Sequence, residues 1–161
     1  MHSLPAARQS ASKSETYDLL IEQAKSLIEG ESDLIANLAN LSALIWQLLP
    51  DLNWAGFYLW KGDELVVGPF QGKPACVRIA LGKGVCGTAV AKKQTIVVPD
   101  VDQFPGHIVC DSASRSEIVV PMIRDDQIIG VLDIDSPSLA RFDDEDRRSL
   151  ERLVALIAVD E

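Results

Sequence analysis

Two apolar runs joined by a short charged segment constrain the fold of this chain more than any other feature. The runs cover residues 117–123 and 127–135, and Arg124-Asp125-Asp126 lies between them. A connection of this length joins neighbouring antiparallel strands, because a parallel pair needs a crossover of a dozen or more residues. The two runs therefore predict a β-hairpin within a mostly antiparallel sheet.

The rest of the chain alternates between helical and strand-like patterns. Apolar residues at helical spacing predict one helix from Glu15 to a stop at Gly30, a second from Leu34 to Pro50, and a closing helix at residues 143–159. The shorter predicted elements are strands at residues 53–60, 64–67, 75–80 and 95–98 and a helix at residues 85–92. This order of helices, sheet and closing helix predicts an α+β architecture.

Composition narrows the domain organisation and the possible partners. A chain of 161 residues fits one domain, and we expect a flexible polar tail at residues 1–13 followed by a folded domain at residues 14–161. The net charge of −9 and the lack of a Lys/Arg run argue against nucleic-acid binding. The sequence shows neither a signal peptide nor a membrane-spanning stretch, so we expect a cytoplasmic protein with reduced cysteines.

Cys110 lies in an unusual place for a cysteine that only packs in a core. The irregular segment predicted at residues 99–115 is long for a compact domain, and such loops are often functional. Cys110 lies within it, close to the polar residues His107, Arg115 and Glu117. These surroundings favour thiolate chemistry over packing, so we interpret Cys110 as a nucleophile.

The first predicted strand presents two aromatic residues on one face. Alternation along residues 53–60 places Trp54 and Tyr58 on the same side, with Gly56 between them. Two aromatic residues that flank a glycine leave a gap with aromatic walls. The other interpretation is a core face with a glycine that allows close packing.

The last predicted strand ends in two acidic residues. Asp133 and Asp135 share one face of this strand, and Glu117 opens the neighbouring strand of the hairpin. Buried carboxylates need solvent, a partner or a cation, so the three predict an acidic pocket for an ammonium group or a metal ion. Crowded carboxylates also raise one another's pKa, which would let one hold a proton near neutrality and act as a general acid.

The two other cysteines leave alternatives open. Cys76 lies in the predicted strand 75–80, and Cys86 lies near the start of a predicted helix, where the helix dipole favours a thiolate. Taken singly, each fits a packed core thiol. Together with Cys110 they are compatible with redox catalysis that uses a resolving thiol, or with a zinc site that adds His107. The spacings lack the close cysteine pairs typical of structural zinc, which disfavours the second alternative.

Five segments of the chain resemble the free methionine-(R)-sulfoxide reductases, which are GAF-domain enzymes. They are NWAGFY at residues 53–58, GKGVCG at 82–87, FPGHIVCD at 104–111, SEIVVP at 116–121 and GVLDIDS at 130–136. The resemblance covers nearly the whole chain from about residue 16. It implies a single GAF domain with a six-stranded antiparallel sheet, helices on one side, and commonly a homodimer through the helical face.

The resemblance also implies roles for the site residues. By the family's pattern Cys110 is the nucleophile, Cys76 is the principal resolving thiol and Cys86 is an auxiliary thiol whose role varies. The carboxylates of the substrate pocket match Glu117, Asp133 and Asp135, and its aromatic walls match Trp54 and Tyr58. A protonated carboxyl, that of Glu117 or of Asp135, would assist departure of the sulfoxide oxygen.

The implied reaction reduces free L-methionine-(R)-S-oxide to L-methionine. Cys110 would become a sulfenic acid and condense with Cys76 to a disulfide, and thioredoxin would reduce this disulfide. No metal or organic cofactor is implied. Two other functions compete with this one: a GAF module that binds a small effector, and a redox or metal sensor that uses the same thiols. Phosphate-bearing effectors are disfavoured because Glu117, Asp133 and Asp135 would repel them.

Overall fold

The computed structural model describes residues 11–157, in which helices and strands follow the predicted order. The α-helices are α1 Lys13–Ile28, α2 Leu34–Leu48, α3 Gly84–Lys92 and α4 Asp144–Ile157. The strands are β1 Trp54–Lys61, β2 Glu64–Gly72, β3 Arg78–Ala80, β4 Ile96–Val98, β5 Ser116–Arg124 and β6 Gln127–Ser136. The predicted α+β class is confirmed, while residues 1–10 of the predicted tail lie outside the described residues. Within residues 11–157, no helix has the length and hydrophobicity needed to cross a lipid bilayer.

The six strands form one antiparallel sheet in the order β3-β2-β1-β6-β5-β4. The predicted hairpin is confirmed as β5 and β6, which are joined by a two-residue turn at Asp125 and Asp126. Both turn residues have a left-handed backbone, with φ of 50° and 61°. This turn geometry suits the right-handed twist of a hairpin, and Asp adopts a positive φ more readily than most residues.

Each face of the sheet has its own apolar core. The helices α1, α2 and α4 lie on one face, where their buried side chains form one apolar core with Phe57 of β1 and with Leu132 and Ile134 of β6. The helix α3 packs on the other face, against the side that carries Trp54 and Tyr58. The expectation that helices lie on one side is therefore wrong for α3. This second face is also largely apolar, so it too needs cover from water.

The strands β2 and β3 differ from their predicted bounds. The strand β3 begins at Arg78 rather than at residue 75, so Cys76 lies in a loop and not in a strand. It pairs with β2 only at three positions, and the segment before it bends towards β1, where the Tyr58 hydroxyl donates to the Cys76 carbonyl. The strand β2 instead continues to Gly72, because it resumes pairing with β1 beyond a bulge.

The N-terminal ends of α1 and α4 meet through a buried carboxylate. The helix α1 begins at Lys13, two residues before the predicted start. The Nζ atom of Lys13 lies 2.7 Å from Oδ2 of Asp146 in α4. Asp146 is fully buried and also accepts from the Tyr17 hydroxyl and from Arg141. Asp143 caps α4, since its Oδ1 accepts from the Asp146 amide at 3.0 Å. These contacts join α1 to α4 on the side of the sheet away from α3.

Candidate active site

Aromatic rings form one wall of a cleft between the sheet and α3. Trp54 and Tyr58 share a face of β1 as predicted, are 3% and 2% exposed, and stack with ring centroids 5.7 Å apart. The gap expected beside Gly56 is filled by Phe70, which stacks on Trp54 at 5.0 Å. Gly56 therefore allows close packing of β1 and β2, and the open space lies towards β6. The cleft is narrow in this state, with about 40 Å³ open to the centre of a water-sized sphere.

Three carboxyl groups lie side by side on the same face of the sheet. Glu117 of β5 pairs directly with Asp135 of β6, and Asp135 pairs in turn with Trp54 of β1. Asp133 lies two residues back along β6, opposite Gly56. All three carboxyl groups line the cleft. The alternation read from the sequence thus places both aspartates correctly, and the strand register adds Glu117.

The environment of these groups opposes full ionisation. Burial is the main cause that raises the pKa of each of the three, and in each case a neighbouring carboxylate raises it further: Asp135 for Glu117, Glu117 for Asp133, and Asp133 for Asp135. Within the described chain, neither Lys nor Arg lines the cleft. The cluster therefore titrates as a set that keeps a proton when no cation is present.

A disulfide between Cys76 and Cys110 lies at the mouth of the cleft, with the two Cα atoms 5.8 Å apart. Cys110 lines the cleft and is exposed, whereas Cys76 is half-buried. The aromatic wall holds the loop that carries Cys76: the Tyr58 hydroxyl donates to the Cys76 carbonyl at 3.1 Å, and Trp54 Nε1 donates to the Lys73 carbonyl at 3.2 Å. The wall that bounds the cleft therefore also positions one sulfur atom of the bridge.

The loop that carries Cys110 is anchored to the start of β1. Asn53 Nδ2 donates to Asp111 Oδ2 at 3.1 Å and to Ser114 Oγ at 2.9 Å. Asp111 also accepts from the Ala113 amide, and these hydrogen bonds to Ala113 and Asn53 hold the pKa of Asp111 below its usual value. Asn53, Asp111 and Ser114 were not predicted as site residues. The signal in the sequence for Asn53 and Asp111 is their position directly beside Trp54 and Cys110, and Ser114 lies in the same irregular segment as Cys110.

Cys86 lies deep in the cleft as a free thiol and is 3% exposed. Burial raises its pKa well above the usual value, and the carboxylates of Asp133 and Glu117 raise it further. The expectation that the start of α3 favours a thiolate is therefore wrong. A helix dipole contributes about 0.3–1 kcal/mol, which is less than the cost of ionising a thiol beside buried carboxylates.

His107 is a cleft residue that the sequence indicated as a polar neighbour of Cys110 and within the zinc alternative. Its Nε2 lies 3.5 Å from Glu117 Oε1, and burial lowers its pKa, an effect that Asp133 partly offsets. The zinc set of three cysteines and His107 does not form in this state, because the disulfide uses Cys76 and Cys110. His107 instead faces the carboxylate cluster.

Comparison with known proteins agrees with this site. Residues 33–160 match the GAF domain model. The free methionine-R-sulfoxide reductase of Escherichia coli K12 is 57% identical over 143 residues, which cover 89% of this chain and 87% of the relative. The enzyme of the same name from Saccharomyces cerevisiae is 47% identical, over 90% of this chain and 85% of its own. The chain belongs to the free methionine-(R)-sulfoxide reductase family.

A solved structure of this reductase family shares the whole architecture. The free methionine-R-sulfoxide reductase of Neisseria meningitidis, in complex with its substrate, is 46% identical and superposes with a TM-score of 0.93 over 98% of this chain and 94% of its own. The single GAF domain expected from the resemblance is confirmed. All residues predicted for the reductase site except Cys76 line the cleft, and Cys76 is bonded to Cys110, which does.

Proposed function

We propose that this protein reduces free L-methionine-(R)-S-oxide to L-methionine. The observation that carries this proposal is the Cys76–Cys110 disulfide, since one of its sulfur atoms lines a cleft of carboxylates and aromatic rings. A disulfide is the form in which a dithiol enzyme is left after it has reduced a substrate. Membership of the reductase family supports the same activity.

Free methionine sulfoxide differs from a peptide-bound residue by its α-ammonium group. The carboxylates of Glu117, Asp133 and Asp135 lack a Lys or Arg partner in the cleft, so they provide a negative site for that group. The stacked rings of Trp54 and Tyr58 offer an apolar surface for the S-methyl group. With the ammonium group and the methyl group both held, the (R) epimer presents its sulfur to Cys110.

The reaction then balances over two steps. The Cys110 thiolate attacks the sulfoxide sulfur, the oxygen passes to Cys110, and L-methionine leaves with its sulfur reduced by two electrons. The Cys76 thiol condenses with the Cys110 sulfenic acid, which forms the S–S bond and releases water. A protonated carboxyl in the cluster, that of Glu117 or of Asp135, supplies the proton to the departing oxygen. The raised pKa of both groups keeps such a proton available near neutral pH.

Recycling of the enzyme requires a dithiol that reaches the disulfide. We assign this role to thioredoxin, which would form a mixed disulfide and leave Cys76 and Cys110 as thiols. The exposed apolar side chains of Val77 and Val109 flank the two bonded cysteines and provide a contact surface for a protein reductant. The need for reduction after every turnover fits a cytoplasmic location.

We also propose that the protein is a homodimer through its helical face. Leu27 of α1 and Ile35 and Trp46 of α2 are 43%, 51% and 39% exposed, although these helices pack on the sheet with their other sides. Size-exclusion chromatography with light scattering would test the oligomeric state.

The decisive experiment is thioredoxin-coupled NADPH oxidation with each sulfoxide epimer. We expect turnover with free L-methionine-(R)-S-oxide and little with the (S) epimer or with a peptide-bound sulfoxide. The Cys110→Ser variant should lose steady-state turnover, and unchanged turnover in that variant would refute the assignment of the nucleophile. The Cys76→Ser variant should still release about one methionine per chain in a single turnover but fail to cycle with thioredoxin.

A further inference from the structure

Cys86 is a cleft thiol that the proposed reaction needs neither as nucleophile nor as principal resolving thiol. It projects from α3 into the floor of the cleft, next to the carboxylates of β5 and β6. Its sulfur, a Glu117 oxygen and an Asp133 oxygen all lie within 4.8 Å of one another, and all three side chains are buried. A thiol and two carboxylates that converge in this way form a metal-ligand set.

The spacing of these atoms is close to that required around one ion. Zinc binds sulfur and oxygen ligands at about 2.0–2.3 Å in a tetrahedron, which places neighbouring ligand atoms about 3.5 Å apart. The separations of the three donor atoms are at most 4.8 Å, so they exceed that spacing by at most about 1.3 Å. A water molecule can complete the tetrahedron as the fourth ligand.

A second observation indicates that a cation belongs in this place. Asp133 is 6% exposed, and its Oδ1 atom is buried without a hydrogen-bond donor, while the hydrogen bonds of its carboxyl group lead to Glu117 and Cys86 of the same set. Buried carboxylate oxygens are almost always hydrogen-bonded or bound to a cation. The ammonium group of an amino acid can meet this need, and so can a metal ion. A thiolate ligand favours Zn²⁺ and related transition metals over Mg²⁺ and Ca²⁺.

We propose that a divalent transition-metal ion of the Zn²⁺ class binds Cys86, Glu117 and Asp133 and thereby excludes the amino-acid substrate from the cleft. The exclusion rests on the function proposed above, because the same carboxylates are assigned to the substrate ammonium group. The metal site itself does not depend on that assignment. Since the ligand set contains neither Cys76 nor Cys110, the ion binds the disulfide form of the protein as well.

The disulfide form provides a clean test, because Cys86 is then the free thiol in a chain of three cysteines. Co²⁺ serves as the probe, since a cobalt–thiolate bond gives a charge-transfer band in the near ultraviolet that oxygen and nitrogen ligands do not produce. Titration of the oxidised protein with Co²⁺ should produce this band with a stoichiometry of about one ion per chain. Zn²⁺ should then abolish the band by displacing the cobalt. Absence of the band at millimolar Co²⁺ would overturn the proposal.

Matched variants locate the site. The Cys86→Ala variant should lose the band, and the Asp133→Asn variant should weaken Co²⁺ binding at least tenfold without removing the thiol. The Asp111→Asn variant is the control, because Asp111 is a cleft carboxylate outside the ligand set, and its titration should match that of the unmodified protein. The oxidised Cys86→Ala variant has no free thiol, so a band that persists in it would not report a bond between cobalt and Cys86 and would refute the site.

Competition with an amino acid tests the exclusion. L-Methionine should displace Co²⁺ from the oxidised protein, whereas N-acetyl-L-methionine, which has no ammonium group, should not. A band unaffected by saturating L-methionine would refute the exclusion. Turnover of methionine sulfoxide in the presence of a chelator tests the reductase function separately, so the two proposals can fail independently.

Discussion

Two desolvated acidic sites in this molecule differ in whether the chain supplies cationic partners for them. Asp146, at the junction of α1 and α4, is fully buried but is met by Lys13, Arg141 and the Tyr17 hydroxyl. The carboxylates of Glu117, Asp133 and Asp135 lie on the other face of the sheet, in a cleft with neither Lys nor Arg among its described lining residues. Both groups are acidic and desolvated, but only the first has its counter-charges supplied by the chain.

This difference separates a structural site from a binding site. A buried carboxylate with cations and donors around it stabilises the packing of the elements that carry those partners. A cluster without cations destabilises the folded state at neutral pH and is relieved when a cation or a proton arrives. The carboxylate cluster is therefore poised for a ligand, while Asp146 is complete without one.

Removal of the buried carboxylate of Asp146 should cause the largest loss of stability. We expect Asp146→Ala to lower the free energy of unfolding by about 3 kcal/mol, because Lys13 and Arg141 lose their partner in a partly buried place. Urea denaturation measures this loss. The Tyr17→Phe variant should lose about 1 kcal/mol, for the hydrogen bond alone. Reductase activity of the molecules that remain folded should not change, and a selective loss of turnover would contradict the comparison.

The equivalent change in the cleft should affect activity and not stability. We expect Asp135→Asn to lower kcat/KM for free methionine-(R)-sulfoxide about 100-fold, the lower end of the range for loss of a general acid. Its free energy of unfolding at neutral pH should stay equal or rise, because one desolvated charge is removed from the cluster. A destabilisation like that of Asp146→Ala would show that the two acidic groups have the same role.

The pH dependence of stability should separate the two regions further. Glu117, Asp133 and Asp135 have raised pKa values in the folded state, so the folded protein binds protons more tightly than the unfolded chain does. Their contribution is fully present below the unfolded pKa of about 4 and is lost as the pH rises through the folded pKa values. Urea midpoints from pH 4 to pH 8 should therefore fall less steeply in Asp133→Asn than in the unmodified protein. Parallel profiles would contradict this coupling.

Removal of the Asp143 cap of α4 should cause the smallest change in the free energy of unfolding. The Asp146 amide and Lys13 lower the pKa of Asp143 to about 2, and the carboxylate therefore contributes stability above about pH 4 that is lost as the pH falls towards 2. Asp143→Ala should cost about 1 kcal/mol at neutral pH, as for other N-caps. Asp143→Asn retains a capping acceptor and is the matched control. A loss well above that of Tyr17→Phe would indicate that Asp143 does more than cap the helix.

Several parts of this site could be predicted from local patterns. Alternation along β1 and β6 placed Trp54 with Tyr58 and Asp133 with Asp135, because successive side chains of a strand point to opposite faces. The short polar turn between β5 and β6 predicted their pairing, and this pairing put Glu117 beside Asp135. Patterns of this kind depend on neighbours in sequence or on one hairpin, so no knowledge of the rest of the fold was needed.

Other parts depend on contacts that local patterns do not encode. Cys76 was expected in a strand, but β3 is short and its preceding loop is held over the sheet by Tyr58. The helix start at Cys86 favoured a thiolate, but burial and the carboxylates packed against the thiol from β5 and β6 raise its pKa instead. His107 reached the cleft through an irregular loop, for which the sequence offers no periodicity.

Hydrophobic periodicity and side-chain chemistry predicted the fold class, the central hairpin, the nucleophile Cys110 and an acidic pocket, whereas the reductase roles came from the resemblance to the family. The burial, the disulfide pairing and the ionisation of those residues depend on the tertiary structure. It covered the second face of the sheet with α3, brought three carboxylates together in a cleft whose described lining has neither Lys nor Arg, and placed two distant cysteines 5.8 Å apart at their Cα atoms. Burial and charge proximity are properties of the assembled molecule, so ionisation and reactivity could be read only there.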